Sequence, residues 1–197
     1  TIGAYPKPEY LPAFDWFSFG NNKDVTNPTE HYDSALETMG NKADELFEQA
    51  VKDVISDQEE AGIDILTDGE VKRENYIHYH CRHLDGIDFH DLTEKAIRGG
   101  TYTPLLPTIT GPVRSKQHFL PNDWKIAQKY TKRTVKMTLP GPMTLGDTVA
   151  DKYYESPKKR GSEIASALNK EVLALVDAGC TDIQIDEPLF ARRVRDA

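Results

Sequence analysis

The sequence predicts an α/β fold, a (βα)8 TIM-type barrel of which this chain supplies about the first five strands. Three observations carry that expectation. The first is a cassette that occurs twice: Ala61-Gly62-Ile63-Asp64-Ile65-Leu66-Thr67-Asp68-Gly69-Glu70 is echoed by Ala178-Gly179-Cys180-Thr181-Asp182-Ile183-Gln184-Ile185-Asp186-Glu187-Pro188. In each copy an amphipathic helix ends on Ala-Gly, a short apolar strand follows, and the strand stops on carboxylates, the repeating unit of a βα barrel. The second is the alternation of strand and helix patterns, which implies parallel βαβ units. The third is size: the chain has 197 residues, fewer than the about 250 typical of a closed barrel. Residues 1–197 are therefore expected to form the N-terminal portion of a single barrel.

Taken in order, Thr1-Ile2-Gly3-Ala4-Tyr5-Pro6 reads as a first strand that turns sharply. From Lys7 to about Gly40 there is no sustained period. Tyr10, Phe14, Trp16, Phe17, Phe19 and Tyr32 lie there among Pro, Gly and Asn, so this is expected to be a long aromatic-rich loop with short helical pieces. From Asn41 the residues Ala43, Leu46, Phe47, Ala50, Val51, Val54, Ile55 and Ala61 share one helical face. Gly62 caps that helix, and Ile63 to Thr67 fits a buried parallel strand. Glu74 to His90 is polar and aromatic and has no firm assignment. Leu105 to Val113 is the next strand, Asp123 caps a helix running to about Lys132, and Thr134 to Leu139 is a strand stopped by Pro140-Gly141-Pro142. A helix over Ser162 to Ala178 feeds the second cassette.

Composition narrows the function. Hydrophobic residues make up 38% and charged residues 28%, a globular balance, and the net charge of -8 argues against general nucleic-acid binding. No apolar run approaches a membrane span and no signal-peptide pattern opens the chain. Cys81 and Cys180 are the two cysteines, without a CxxC pair, so a reducing, cytoplasmic location is the expectation.

The chemistry-bearing residues follow from the cassette. Glu70 and Asp186 sit at equivalent points past their strands, where carboxylates accept hydrogen bonds from a substrate ammonium group or act as acid or base. Asp68, Asp186 and Glu187 could instead cap the helix that follows, and Pro188 is well placed to open one. His78, His80, Cys81 and His83 match no closed zinc pattern and read better as surface or substrate-loop side chains than as ligands, so no metal ligand is assigned. Gly111-Pro112 and Gly141-Pro142 follow strands and serve either ligand approach or a simple turn. The basic run from Lys152 to Arg160 reads as a solvated face.

With these residues in place, the chain resembles the catalytic barrel of the cobalamin-independent methionine synthase family and its short relatives. The likeness runs nearly end to end. It is carried by Ile2-Gly3-Ala4-Tyr5-Pro6, by Thr67-Asp68-Gly69-Glu70-Val71-Lys72-Arg73, by Leu139-Pro140-Gly141-Pro142-Met143-Thr144, and most specifically by Asp182-Ile183-Gln184-Ile185-Asp186-Glu187-Pro188. The resemblance implies a methyltransferase, of the 5-methyltetrahydropteroyltriglutamate–homocysteine S-methyltransferase kind, that moves a methyl group to the thiol of homocysteine. It implies a zinc ion that activates this thiol, with ligands outside this chain. It also implies that Glu70 and Asp186 hold the amino group of the amino acid, Asp186 within the catalytic centre, while the backbone of Ile2, Gly3 and Ala4 receives the carboxylate.

Three departures bear on the donor and the binding site. Ala4 stands where the family has serine, Tyr102-Thr103 where folate-using members have Arg-Cys, and Leu145-Gly146-Asp147 where a tryptophan is expected. The methyl donor is accordingly open between methyltetrahydrofolate and another donor. Alkyl transfer to a different small thiol and a non-catalytic amino-acid-binding fragment are the alternatives. A uroporphyrinogen-type decarboxylase ranks lower because the strand ends lack basic clusters. The expected partners are a small thiol substrate and either another chain or the missing barrel half, with no nucleic acid and no membrane.

Overall fold

A computed structural model describes residues 4–12, 28–96, 100 and 103–192. The expected strand at Ile2-Gly3 and part of the aromatic-rich stretch lie outside these residues. The described part of that stretch is more helical than expected: α1 spans Pro28–Met39, and a single 3-10 turn at Gly40–Lys42 joins it to α2, Ala43–Glu60. α2 buries Phe47, Ala50, Val51, Val54, Ile55 and Gln58, the three-and-four spacing read from the sequence. Gly62, at φ +75°, closes it in the left-handed conformation that glycine adopts without a Cβ clash.

The strands that follow form one parallel ladder. β1 (Ile65–Leu66) pairs in parallel with β4 (Thr134–Val135), and β5 (Met137–Pro140) pairs in parallel with β7 (Ile183–Asp186). Only Lys136 separates β4 from β5, and its N–H donates to the Leu66 carbonyl at 2.8 Å. The ladder therefore runs β1, β4–β5, β7 in chain order. The cassettes occupy its two outer described positions.

Between them the structure departs from the expected count of five parallel strands. Leu105–Val113 is a strand, but as β3 (Leu105–Ser115) it pairs antiparallel with β2 (Leu84–Glu94) in a long hairpin. The polar and aromatic segment without assignment is thus the short helix α3 (His78–Cys81) and the first arm of this hairpin. β6 (Ala150–Asp151) adds to β3 in parallel. Gly86, at φ +83°, lets the two arms cross closely: a Cβ there would lie 2.5 Å from the Pro112 carbonyl oxygen. Gly111-Pro112 lies inside β3, not after it, and so serves this crossing.

Helices cover the outer face. α4 (Leu120–Gln128) precedes β4, α5 (Pro142–Thr148) follows β5, and α6 (Pro157–Ala178) leads to β7, which α7 (Leu189–Arg192) follows. Asp123 does not cap α4. It lies buried inside the first turn, while Glu171 of α6 accepts from the Phe119 and Leu120 N–H groups at 2.8 and 2.7 Å. α6 begins five residues earlier than its apolar pattern suggests, because Ser156 caps it through the Lys159 N–H. Two buried clusters result, one around α2, β1 and β4 and one around the hairpin, β5, α5 and α6. Trp124 packs against both and donates its indole N–H to the Val135 carbonyl at 3.1 Å.

Candidate functional site

The loop after β1 is built to present Glu70. Gln58, buried on α2, uses its side-chain amide as a substitute strand: its Nε2 donates to the Thr67 carbonyl at 2.9 Å and its Oε1 accepts from the Thr67 N–H at 3.0 Å. Thr67 Oγ1 then accepts from the Gly69 N–H, and Asp68 Oδ1 accepts from the Glu70 N–H at 3.1 Å. The chain turns through two consecutive left-handed residues, Gly69 at φ +66° and Glu70 at φ +53°. For Glu70 this conformation is strained, by about 1 kcal/mol. Asp68 is thus mainly a structural residue, holding the turn that aims Glu70.

Arg73 lies beneath the turn, wholly buried. Its Nη2 approaches Asp68 Oδ2 at 3.5 Å, and its Nη1 approaches Glu70 Oε1 at 3.5 Å and donates to Thr138 Oγ1 at 2.9 Å. Burial works against this charge, but Asp68 and Glu70 outweigh it and hold the guanidinium more firmly protonated than usual. Thr138 in turn donates to Glu70 Oε1 at 2.9 Å.

Asp186 reaches the same face from β7. Thr138 is the register partner of Gln184, and Pro140 that of Asp186, so all four alternate residues point to one side of the ladder. Lys136 Nζ donates to Gln184 Oε1 at 2.6 Å, and Gln184 Nε2 donates to Asp186 Oδ1 at 2.6 Å. Glu70 is buried and Asp186 half-buried. The first described segment arrives beside them, because the Tyr5 N–H donates to the Gly69 carbonyl at 2.8 Å. Ala4 is thereby next to the Glu70 turn, whereas Ile2 and Gly3 lie outside the described residues.

Glu187, adjacent to Asp186, does something different. It accepts from the backbone N–H groups of Met143 and Thr144, at 3.0 and 2.7 Å, and from the Thr144 hydroxyl, closing the N-terminus of α5. Gly141 serves this cap, since a Cβ there would overlap the Glu187 carboxylate. The helix-capping alternative therefore holds for Glu187, on α5 rather than on the helix that follows it.

The histidine-rich segment is largely buried rather than at the surface, with His83 half-buried. His78, His80 and Cys81 are buried, and the His83 ring stacks on Phe119 with centroids 3.9 Å apart. His80 Nδ1 bonds the Tyr76 carbonyl at 2.6 Å, and neither His78 ring nitrogen has a hydrogen bond among the described residues. Burial, with Arg82 nearby, lowers the His78 pKa to about 4. Burial also pushes the Cys81 thiol well above its usual range, away from the thiolate a metal needs. Among the described residues no three or more His, Cys, Asp or Glu side chains are grouped to hold a metal ion.

Arg73, Thr138, Gln184 and Lys136 were not singled out by the sequence reading. A signal for three of them exists in the period of two: Lys136 and Thr138 place polar side chains on alternate positions of an otherwise apolar strand, as Gln184 and Asp186 do.

The arrangement defines a class: an α/β domain whose polar site stands at the carboxyl ends of parallel strands. Comparison with known proteins narrows it. Residues 18–196 match the family described as cobalamin-independent synthase, catalytic domain. The methionine synthases of Sulfolobus acidocaldarius and Sulfurisphaera tokodaii are 28% and 30% identical, over 100% and 95% of this chain but 53% and 51% of their own. A B12-independent methionine synthase from Shewanella sp. W3-18-1, solved in complex with selenomethionine, superposes with a TM-score of 0.81 at 33% identity, over all of this chain and 54% of that one. This chain belongs to the cobalamin-independent synthase family and spans about half the length of the relatives it matches.

Proposed function

We propose that this chain forms the amino-acid-binding part of a methionine-synthase-like methyltransferase, whose acceptor is the thiol of homocysteine. The observation that carries the reading is the delivery of Glu70 and Asp186 to one face of the same ladder, each with an oxygen available beyond its internal hydrogen bond. An ammonium group placed between two such carboxylates makes charge-assisted hydrogen bonds to both, a geometry that selects an amine over a neutral or anionic group. The backbone around Ala4, beside the Gly69–Glu70 turn, is assigned to receive the substrate carboxylate, a role supported by the Tyr5 N–H bond to the Gly69 carbonyl. The relatives named methionine synthase, and the selenomethionine bound to the Shewanella enzyme, support an amino acid of this size and kind.

The zinc that the resemblance implies finds no ligand set among the described residues. Those residues bind and orient the amino acid; activation of its sulfur is assigned to groups outside them. The ladder β1, β4–β5, β7 supports a barrel that further strands, on this chain or another, complete at the edge of β7, where Ile185 is 57% exposed. No described helix is long and apolar enough to cross a membrane; a cytoplasmic enzyme is the location proposed.

Titration calorimetry with L-homocysteine and L-methionine tests the reading. Asp186→Asn is expected to weaken both about tenfold or more, with little change in thermal stability. Unchanged affinity in Asp186→Asn would remove the amino-group role.

A further inference from the structure

We propose that Thr138 and Gln184 are positioning residues, each passing a hydrogen bond from a buried or half-buried cation to one carboxylate, so that Glu70 and Asp186 are aimed at a single ammonium group. The proposal rests on the amino-acid reading above and adds a specificity device to it.

The chemistry of the four partners leaves one arrangement. Arg73 can only donate, so the 2.9 Å contact from its Nη1 makes Thr138 Oγ1 the acceptor. The single hydroxyl proton of Thr138 is then available for Glu70 Oε1, also at 2.9 Å. Lys136, two residues before Thr138, carries an Nζ that can only donate, so the Gln184 amide on the neighbouring strand must turn its oxygen to it, at 2.6 Å. That orientation carries the amide NH2 to Asp186 Oδ1, at 2.6 Å. The reversed amide would set NH2 against an ammonium and C=O against a carboxylate, two repulsive contacts in place of two attractive ones. Both relays are directional by chemistry alone.

They are also side by side. Thr138 and Gln184 are register partners on β5 and β7, so Arg73–Thr138–Glu70 and Lys136–Gln184–Asp186 share one rung of the ladder. Each relay occupies one carboxylate oxygen, Oε1 of Glu70 and Oδ1 of Asp186. The second oxygen of each carries no hydrogen bond among the described residues. Two carboxylates, Glu70 held by its hydrogen-bonded turn and Asp186 by β7, each with one oxygen committed, present the remaining two as fixed acceptors. Thr138 sits in a strand whose four residues are all buried, where valine matches its shape but lacks the hydroxyl that bonds Arg73 and Glu70. Its hydroxyl is therefore not required by the packing.

The test compares L-methionine with its des-amino analogue, 4-(methylthio)butanoate, by titration calorimetry on Thr138→Val, Thr138→Ser and Gln184→Met. Thr138→Val and Gln184→Met are expected to weaken L-methionine about tenfold while leaving the analogue's affinity unchanged, and Thr138→Ser to restore the wild-type value. Bound analogue in the same variants shows that they fold. An equal loss for both ligands would make the two residues merely structural and overturn the proposal. So would unchanged L-methionine binding in these variants when Asp186→Asn and Glu70→Gln do weaken it. If Asp186→Asn and Glu70→Gln are also without effect, the amino-acid reading itself falls, and the relay with it.

Discussion

At the residue scale the decisive position is Gly69. A Cβ added there would stand 2.6 Å from Val54 Cγ1 and 3.0 Å from the Tyr5 Cβ, in a backbone at φ +66°. Gly69→Ala is therefore expected to cost about 3 kcal/mol in urea unfolding, combining left-handed strain with overpacking. It should also displace Glu70, the next residue. His78 gives a second prediction. Both its ring nitrogens are buried without hydrogen-bond partners among the described residues, and the ring is edge-on to Phe89. Its folded pKa of about 4 lies below the ordinary 6.5, so the unfolded chain takes up the proton first. The contribution is complete above about pH 6.5 and is lost as pH falls through 4, amounting to about 3 kcal/mol. His83 is lowered to about 4 and His80 well below its usual value, both chiefly by burial, so they act in the same direction. His78→Leu should make stability fall less steeply between pH 6.5 and 4 in denaturation measured across that range. The sequence could not place these histidines inside, because burial of His78 depends on the β2–β3 hairpin folding over it.

At the element scale, capping explains why the two carboxylates of Asp186-Glu187 have different work. Glu187 closes α5 through two backbone N–H groups and the Thr144 hydroxyl, in space provided by Gly141. Glu187→Ala should lower stability by about 1–2 kcal/mol in thermal unfolding, the reverse of the pattern expected for Asp186→Asn. Elements of this kind mark how far the sequence can be read. α2 and α6 were legible because their apolar spacing and terminal glycines are local signals, and β7 because its cassette repeats that of β1. The hairpin was not legible. Leu105–Ser115 has the apolar content of a parallel strand, and only its pairing with Leu84–Glu94, about twenty residues away, makes it antiparallel. Asp123 misled for a similar reason: it satisfies a capping pattern, yet its carboxylate accepts from Lys72 at 3.0 Å and Tyr79 at 2.7 Å.

At the scale of the whole molecule, the two buried clusters are tied together by Trp124, whose ring also lies against Gly179 at the end of α6. The second cassette is thereby packed onto the helix that precedes β4, and the ends of β1, β5 and β7 are held in one frame. Glu70 and Asp186, 116 positions apart in the numbering, come to the same ladder because β5 lies between their strands: Thr138 donates to Glu70, and Pro140 is in register with Asp186. A crystal structure of the protein soaked with L-selenomethionine, phased to locate the selenium, measures this claim most directly. The ligand's amino nitrogen is expected within hydrogen-bonding distance of both Glu70 and Asp186, with its carboxylate toward the backbone at Ala4. A selenium peak away from the ends of β1 and β7, or an amino group touching neither carboxylate, would contradict it.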